Sequence, residues 1–226
     1  MLTVACVLRS GGAYGPEDVR KLGQGVLRHL KQPHSFVCLS DAPLGEGLDD
    51  LRIPLKHDWP GWFSKLELFR PGLFLGPVLY FDLDTVILRD LDEVTVTGEA
   101  EVVHGLANLV MLRDRRHSHI LGSGIMYWHG ESTLLHALYE RFALDPLYYM
   151  RKYRQMPNLG DQSFIVDTLD EGSIAAWPEG LFGCLNLDDE ATCRASHAAY
   201  CNWIPKLAEM ATEDSWRGEI VRGAWL

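Results

Sequence analysis

The chain is predicted to form one α/β domain, a mixed central sheet flanked by helices, and three observations predict it. Short apolar runs alternate with helical patterns from the first residues onward. The length of 226 residues suits a single large domain. A composition of 47% apolar and 23% charged residues supplies a sizeable core.

The run Thr3-Val4-Ala5-Cys6-Val7-Leu8 predicts a buried first strand, closed by Arg9-Ser10-Gly11-Gly12. Pro16 suits the first turn of a helix, and Glu17 and Asp18 favour its positive end. Val19, Leu22, Val26, Leu27 and Leu30 continue that helix at helical spacing. Strands are expected over Ser35 to Leu39 and Leu51 to Leu55, and a short helix from Lys65 to Phe69, which Pro71 and Gly72 end. Pro77-Val78-Leu79-Tyr80-Phe81, fully apolar, is the central strand and leads straight into Asp82-Leu83-Asp84-Thr85. Beyond it the pattern predicts a strand near Ile125 to Trp128 and helices over Ser132 to Leu144 and Asp161 to Leu169. A strand over Ile174 to Trp177 and a helical tail after Lys206 complete the reading. No repeat or linker divides the chain, which is taken as a single domain over 1–226.

With 21 basic and 31 acidic residues the net charge is −10, which argues against broad affinity for nucleic acid or anionic membranes. No apolar stretch approaches the roughly 20 residues needed to span a bilayer. Met1 to Leu8 lacks the basic lead of a secretory signal, so a cytoplasmic location is expected. The five cysteines fit a reducing compartment. A zinc site at Cys184, Cys193 and Cys201 with His197 is weighed against buried thiols. The spacings of eight and seven residues favour the thiols.

The acidic pair after the central strand carries the chemistry. In a strand, residues i and i+2 share a side, so Asp82 and Asp84 are expected to project together at the sheet's carboxyl edge. Two carboxylates so close repel unless a cation lies between them, which points to Mg²⁺ or Mn²⁺ with phosphate completing the shell. Two enzyme classes use such a pair. In a haloacid-dehalogenase-type phosphatase Asp82 would be the nucleophile and Asp84 the general acid. In a nucleotide-sugar transferase the pair would hold the metal that bridges the donor diphosphate. About three strands precede the pair, and Gly160-Asp161 and Asp167 are spaced too widely for the phosphatase's later acidic cluster, so the transferase is preferred. A noncatalytic nucleotide-sugar-binding module is the third reading.

Four blocks in order, Val4 to Gly12, Trp62-Phe63-Ser64-Lys65-Leu66-Glu67-Leu68-Phe69 with Val78 to Val86, Gly122-Ser123-Gly124-Ile125-Met126 and Gly160-Asp161-Gln162-Ser163-Phe164, resemble glycosyltransferase family 8. The resemblance covers most of residues 1–170. It implies a GT-A fold, with residues 1–90 as the nucleotide-binding half ending in Asp-x-Asp and 91–226 as the acceptor and sugar half with the tail. It also implies a UDP-linked donor, a hydroxyl acceptor such as a glycan, and retention of anomeric configuration; a modified nucleic-acid base is a further acceptor, for which 113–119 and Tyr148 to Arg154 would be the positive surfaces. Asp82 and Asp84 are implied as metal ligands, Asp84 more directly, with His197 as the third ligand. Arg9, Ser10, Gly11 and Gly12 would flank the nucleobase and ribose, with Asp41 nearby, and Lys65 would balance charge on the donor diphosphate. Gly122, in the family's Asn place, and Ser123 would line the sugar pocket. Asp161 and Gln162 would face the anomeric carbon as catalytic residues, and Asp161 also suits a helix N-cap. Lys206, near the place of the family's C-terminal Lys, would be a further diphosphate contact.

Three other features are less telling. The basic stretch from Arg113 to His119 is read as a solvated loop or a site for anionic groups. Tyr148 to Arg154 is read as a helix with a wet face or a stacking surface. Trp59 and Trp62 are expected to pack over the donor side of the core.

Overall fold

The computed structural model describes residues 1–105, 107–115, 120–155, 158–201 and 206–226. Strand β1 (Leu2–Leu8) leads into helix α1 (Pro16–His29), where Pro16 opens the first turn and the Asp18 carboxylate accepts from the Gly15 amide at 2.8 Å. Strands β2 (His34–Ser40) and β3 (Arg52–Pro54) follow, then a 3₁₀ helix over Gly61–Phe69. Strands β4 (Pro77–Phe81) and β5 (Thr85–Ile87), helix α2 (Asp92–Val103), and strands β6 (Leu109–Arg113) and β7 (Leu121–His129) make the middle of the chain. Helices α3 (Thr133–Leu144) and α4 (Pro146–Lys152), the strand pair β8 (Arg154–Gln155) and β9 (Asn158–Leu159), and helix α5 (Gly160–Thr168) come next. The last part holds β10 (Ile174–Ala176), β11 (Phe182–Cys184), α6 (Glu190–Ala195), β12 (Ala198–Tyr200), α7 (Leu207–Met210) and α8 (Trp216–Trp225).

The main sheet runs β10-β6-β7-β4-β1-β2-β3. It is parallel from β4 through β1 and β2 to β3, while β7 lies antiparallel to both β4 and β6. The sheet is therefore mixed, as expected. The pleat divides its side chains between two cores. Val4, Cys6, Leu79 and Phe81 pack with α1 and α2, whereas Ala5, Val78, Tyr80, Met126 and Trp128 pack with the 3₁₀ segment, α3 and α5. A smaller sheet, β11-β12-β5, covers a third core that includes Val86, Cys193, Ala199 and Ile220.

The short helix read from Lys65 is longer and of 3₁₀ form, and its three-residue period sorts its side chains into stripes. Phe63, Leu66 and Phe69 make one buried stripe, Ser64 and Glu67 a second, and Trp62, Lys65 and Leu68 the third. The Glu67 carboxylate is fully buried and accepts from the amides of Lys56 and His57 at 2.7 and 2.8 Å and from Arg70 at 2.7 Å. These bonds lock the loop before the segment.

Helix α2 is absent from the sequence reading because Val94-Thr95-Val96-Thr97 is a β-branched run, which resembles a strand locally. It is held as a helix by packing. A β-carbon at Gly98 would come within 2.6 Å of the Tyr127 ring and 2.9 Å of Trp177. Gly98→Ala is therefore expected to destabilise the fold by about 1–3 kcal/mol through overpacking. Urea denaturation measures this, and an unchanged midpoint would refute the close approach.

The five cysteines are buried thiols. Burial pushes the Cys193 and Cys201 thiols up to about 12, which favours protonated sulfur over a metal-binding thiolate. Among the described residues no helix is long and apolar enough to cross a membrane.

Candidate active site

Asp82 follows β4 directly, and its amide extends the ladder by donating to the Gly124 carbonyl at 2.8 Å. Leu83 and Asp84 then turn the chain into β5, with the Thr85 amide donating to the Asp82 carbonyl at 3.2 Å. The two carboxylates thus meet across a tight turn and not along a continuing strand. On the far side of Asp84 its carbonyl accepts from the Cys201 amide at 2.9 Å, which joins the C-terminal region to the site.

Lys65 lies at the centre, 8% exposed. Its ammonium donates to Asp82 Oδ2 at 3.1 Å and to Ser123 Oγ at 3.0 Å, and lies 3.6 Å from Asp161 Oδ2. Burial disfavours the Lys65 charge, but Asp161 and Asp82 more than offset this and hold its pKa above the usual lysine range. Asp161 is 2% exposed, in the first turn of α5, and its Oδ2 has no hydrogen-bond partner. Burial raises its pKa against the opposing pull of Lys65.

Tyr80, missed by the sequence reading, donates its hydroxyl to Asp82 Oδ1. Its only sequence signal is position: it stands two residues before Asp82 on the same face of the pleat. Both Asp82 oxygens are therefore engaged within the protein.

Asp84 is in a different state. Burial and the neighbouring Asp82 charge push its pKa up to about 7, opposed by Lys206 and Lys65. Lys206 Nζ lies 3.9 Å from Asp84 Oδ2 and 5.3 Å from the Tyr14 ring centroid. Tyr14, also missed, has a buried hydroxyl without a partner and a pKa raised by burial and then by Asp84. Among the described residues four buried side-chain polar atoms lack a hydrogen-bond partner. Three of them, on Tyr14, Thr85 and Asp161, belong to this site or adjoin it, the pattern of a site that completes its polar contacts on a ligand.

These observations test the fit of a divalent cation. A hard cation suits two neighbouring carboxylates, one of which is pushed up by burial and by the other's charge. Among the described residues no cluster of three His, Cys, Asp or Glu side chains is placed to hold a metal, so Asp82 and Asp84 form a two-carboxylate set. The structure does not bring His197 to that set. Its ring contacts the Asp90 carbonyl through Nδ1 and Glu93 Oε2 through Nε2 at 3.2 Å. The β5–β12 register sets Tyr200 opposite Thr85, and His197 falls beyond the other end of β5, where its carbonyl receives the amides of Leu88 and Arg89. The expectation of a His197 ligand is corrected on that ground.

At the neighbouring strand end, Ser10, Gly11 and Gly12 form an exposed turn after β1. Asp41, just after β2, accepts from the Ser10 amide at 2.8 Å and from its hydroxyl, and lies 3.4 Å from Arg9, which also reaches Asp58. Burial opposes the Asp41 charge, but the Ser10 hydrogen bonds and Arg9 prevail and hold its pKa below the usual range. A depressed carboxyl contributes stability that is present above the unfolded value near 3.8 and is lost as pH falls through the folded value. Asp41→Ala is expected to cost about 1–3 kcal/mol near pH 7 and distinctly less near pH 3. Urea denaturation at both pH values checks this, and an equal cost at each would contradict it.

Ser123 and Gly124 on β7 reach the site because β7 pairs with β4 in register Phe81↔Ile125. A β-carbon at Gly124 would lie 3.5 Å from Asp82 Oδ2, and one at Gly122 would lie 3.8 Å from Gln162 Oε1. Asp161, Gln162, Ser123, Lys65, Asp82 and Asp84 are thus gathered at one edge, with Gly122 beside Gln162. Of the other expected features, Arg115 pairs with Asp188, while 116–119, with both histidines of the basic stretch, lie outside the described residues, as do 202–205. Tyr148 to Lys152 lie in α4, with Tyr149 packed on Phe142 and Phe164. Trp59 is buried against His57 and Phe142, but Trp62 is 55% exposed, contrary to the expected core position.

By sequence the chain matches no protein-family model and no curated protein. By structure it is similar to the glycosyltransferase GlyE of Streptococcus pneumoniae, with TM-score 0.72 and 14% identity over 99% of this chain. The chain spans 60% of the length of GlyE. It is also similar to the galactosyltransferase LgtC solved with donor and acceptor sugar analogues, with TM-score 0.65 and 11% identity over 99% of this chain and 95% of that one. Mouse xyloside xylosyltransferase 1 gives TM-score 0.56 and 13% identity over 89% and 97% of the two chains. The fold is that of the GT-A glycosyltransferases.

Proposed function

We propose that this chain is a metal-dependent glycosyltransferase that moves a sugar from a nucleoside diphosphate, UDP by preference, to a hydroxyl acceptor with retention of configuration. The observation that carries the reading is the buried Lys65 ammonium set between Asp82 and Asp161, beside an Asp84 carboxyl pushed up to about 7. Such a cluster lacks one positive centre and offers a fixed one, which suits a ligand that brings a cation together with phosphates.

Asp82 and Asp84 would hold Mn²⁺ or Mg²⁺, which when bound neutralises charge on the departing diphosphate. Lys65 supplies fixed positive charge toward the same leaving group and costs no reorganisation, because Asp82 and Ser123 already orient it. Lys206, beside Asp84 and Tyr14, is positioned to meet the phosphates from the opposite side. Arg9, Ser10, Gly11, Gly12 and Asp41 would line the nucleoside end. Asp161 Oδ2, which accepts no hydrogen bond within the chain, would accept one from a donor-sugar hydroxyl, and Gln162, beside Gly122, would face the anomeric carbon. Gly122 supplies no side-chain amide where the resemblance implies one. The fold and the engagement of both Asp82 oxygens favour transfer over a phosphatase in which Asp82 attacks phosphorus.

The test is a thermal-shift panel of UDP-, GDP-, ADP- and TDP-sugars with and without Mn²⁺, followed by donor hydrolysis. Stabilisation by one donor only when Mn²⁺ is present, with slow release of its nucleotide, is expected. No donor stabilising the fold, or phosphate release from a simple phosphomonoester, overturns the reading.

A further inference from the structure

The 3₁₀ segment Gly61–Phe69 carries three aromatic residues, and two of them are inside. Phe63 stacks on Phe142 at 5.6 Å, and Phe69 meets Trp128 at 5.2 Å. Trp62 is the exception. More than half of its surface faces solvent, and among the described residues it has neither a ring partner nor a hydrogen-bond partner for its indole nitrogen. Single exposed aromatics need no explanation by themselves, so its surroundings decide the matter.

The ring is held on one side. A β-carbon at Gly160 would come within 3.1 Å of its Cε3 and 3.4 Å of its Cδ2, so the indole rests against a residue without a side chain. Gly160 adopts φ +67°, a conformation that favours glycine, and its amide donates to the Tyr153 carbonyl at 2.8 Å. The next residue is Asp161, whose buried Oδ2 accepts no hydrogen bond and lies 3.6 Å from the Lys65 ammonium. Trp62 is also tied to Lys65, because residues three apart in a 3₁₀ helix lie one above the other. The same stripe carries the buried Lys65 ammonium, paired with Asp82 and Asp161, and the exposed Trp62 indole.

We propose that Trp62 is the acceptor platform: its outward indole face stacks on the carbon–hydrogen face of a pyranose ring of the acceptor, next to Asp161. This inference rests on the transferase reading above. The donor's charged groups are matched on the inner side by Lys65, Asp82 and Asp84, so the outer face is left for the second substrate. An indole suits a sugar ring because it offers a broad apolar surface and a polar N–H at its edge. A nucleic-acid acceptor is disfavoured by the net charge of −10.

The experiment compares wild type, Trp62→Phe, Trp62→Ala and the control Leu144→Ala, an exposed position outside the site. Two readouts are taken. Donor turnover is measured without acceptor and with a panel of methyl and nitrophenyl glycosides and a single-stranded DNA oligonucleotide. Saturation-transfer NMR reads contact with the same glycosides in the absence of donor. For a glycoside that accelerates turnover, Trp62→Ala is expected to raise its KM about tenfold or more, and Trp62→Phe by about threefold or less. The donor KM should stay within about twofold, and saturation transfer should weaken in Trp62→Ala but persist in Leu144→Ala. An unchanged glycoside KM with unchanged saturation transfer in Trp62→Ala overturns the proposal, and so does a loss confined to the donor KM. Acceleration by the oligonucleotide alone, or contact with no glycoside in wild type, also overturns it. Wild type that binds a glycoside through Trp62 but turns over no donor sinks the transferase reading and leaves the sugar platform standing.

Discussion

Replacing Asp84 with asparagine is expected to reduce donor turnover by about a hundredfold or more, while the protein without metal becomes no less stable. The two effects separate because the native carboxyl is unfavourable to ionise in the fold. Burial and then Asp82 push its pKa from 3.8 up to about 7. A carboxyl raised in this way contributes stability while protonated, fully below its unfolded value, and that contribution is lost as pH rises through the folded value. Metal-free wild type is therefore expected to melt progressively lower across the window from about pH 4 to about pH 7, and Asp84→Asn to show a flatter profile. Above about pH 7, Mn²⁺ should raise the melting temperature of wild type and do little for the variant. Thermal melts near pH 5 and pH 8, with and without Mn²⁺, read both effects. A variant that melts well below wild type near pH 8, or that keeps its turnover, defeats the assignment.

Lys65→Met should be costly in a different way. It removes the cation shared by Asp82 and Asp161 and leaves Asp161, 2% exposed, without compensation. Breaking a buried pair by deleting one partner costs about 3–5 kcal/mol. The expected result is a matching loss of unfolding free energy together with loss of donor turnover. The double variant Lys65→Met/Asp161→Asn should regain more than half of the stability and none of the activity, since the stranded charge is gone but the electrostatic support is still missing. Additive losses in the double variant would show that Lys65 and Asp161 do not act as a pair.

Much of the frame was legible in the sequence because the strands beside the site are mostly apolar and strongly bounded. Pro77–Phe81 and the helix from Pro16 needed no tertiary information. Gly61–Phe69 was half legible: its helical nature showed, but the three-residue period that separates Lys65 from Phe63 and Leu66 did not. Helix α2 was hidden by its valines and threonines, and β5, β11 and β12 are too short to signal themselves. Within the site, Asp82 and Asp84 stood out as charges ending an apolar run. Lys65, Ser123 and Asp161 were legible only through resemblance, because each is an ordinary polar residue until a distant strand brings it to its partners. Tyr80 reads as one more apolar strand residue, Tyr14 carries no local signal, and only their hydroxyl positions mark them. His197 was misplaced because nothing local fixes the β5–β12 register that carries it away from Asp84.

The antiparallel entry of β7 beside β4 has a kinetic consequence. Asp82 and Ser123 come from distant parts of the chain and meet only when that pairing closes, after the intervening loop entropy has been overcome. After dilution from denaturant, secondary structure can return early through α1 and α3, which are local. Capture of the proposed nucleotide donor would have to await the long-range closure. Its recovery time therefore reports the slowest zippering of the sheet, and a lag behind far-ultraviolet circular dichroism would make the ligand a stopwatch for the last step of refolding.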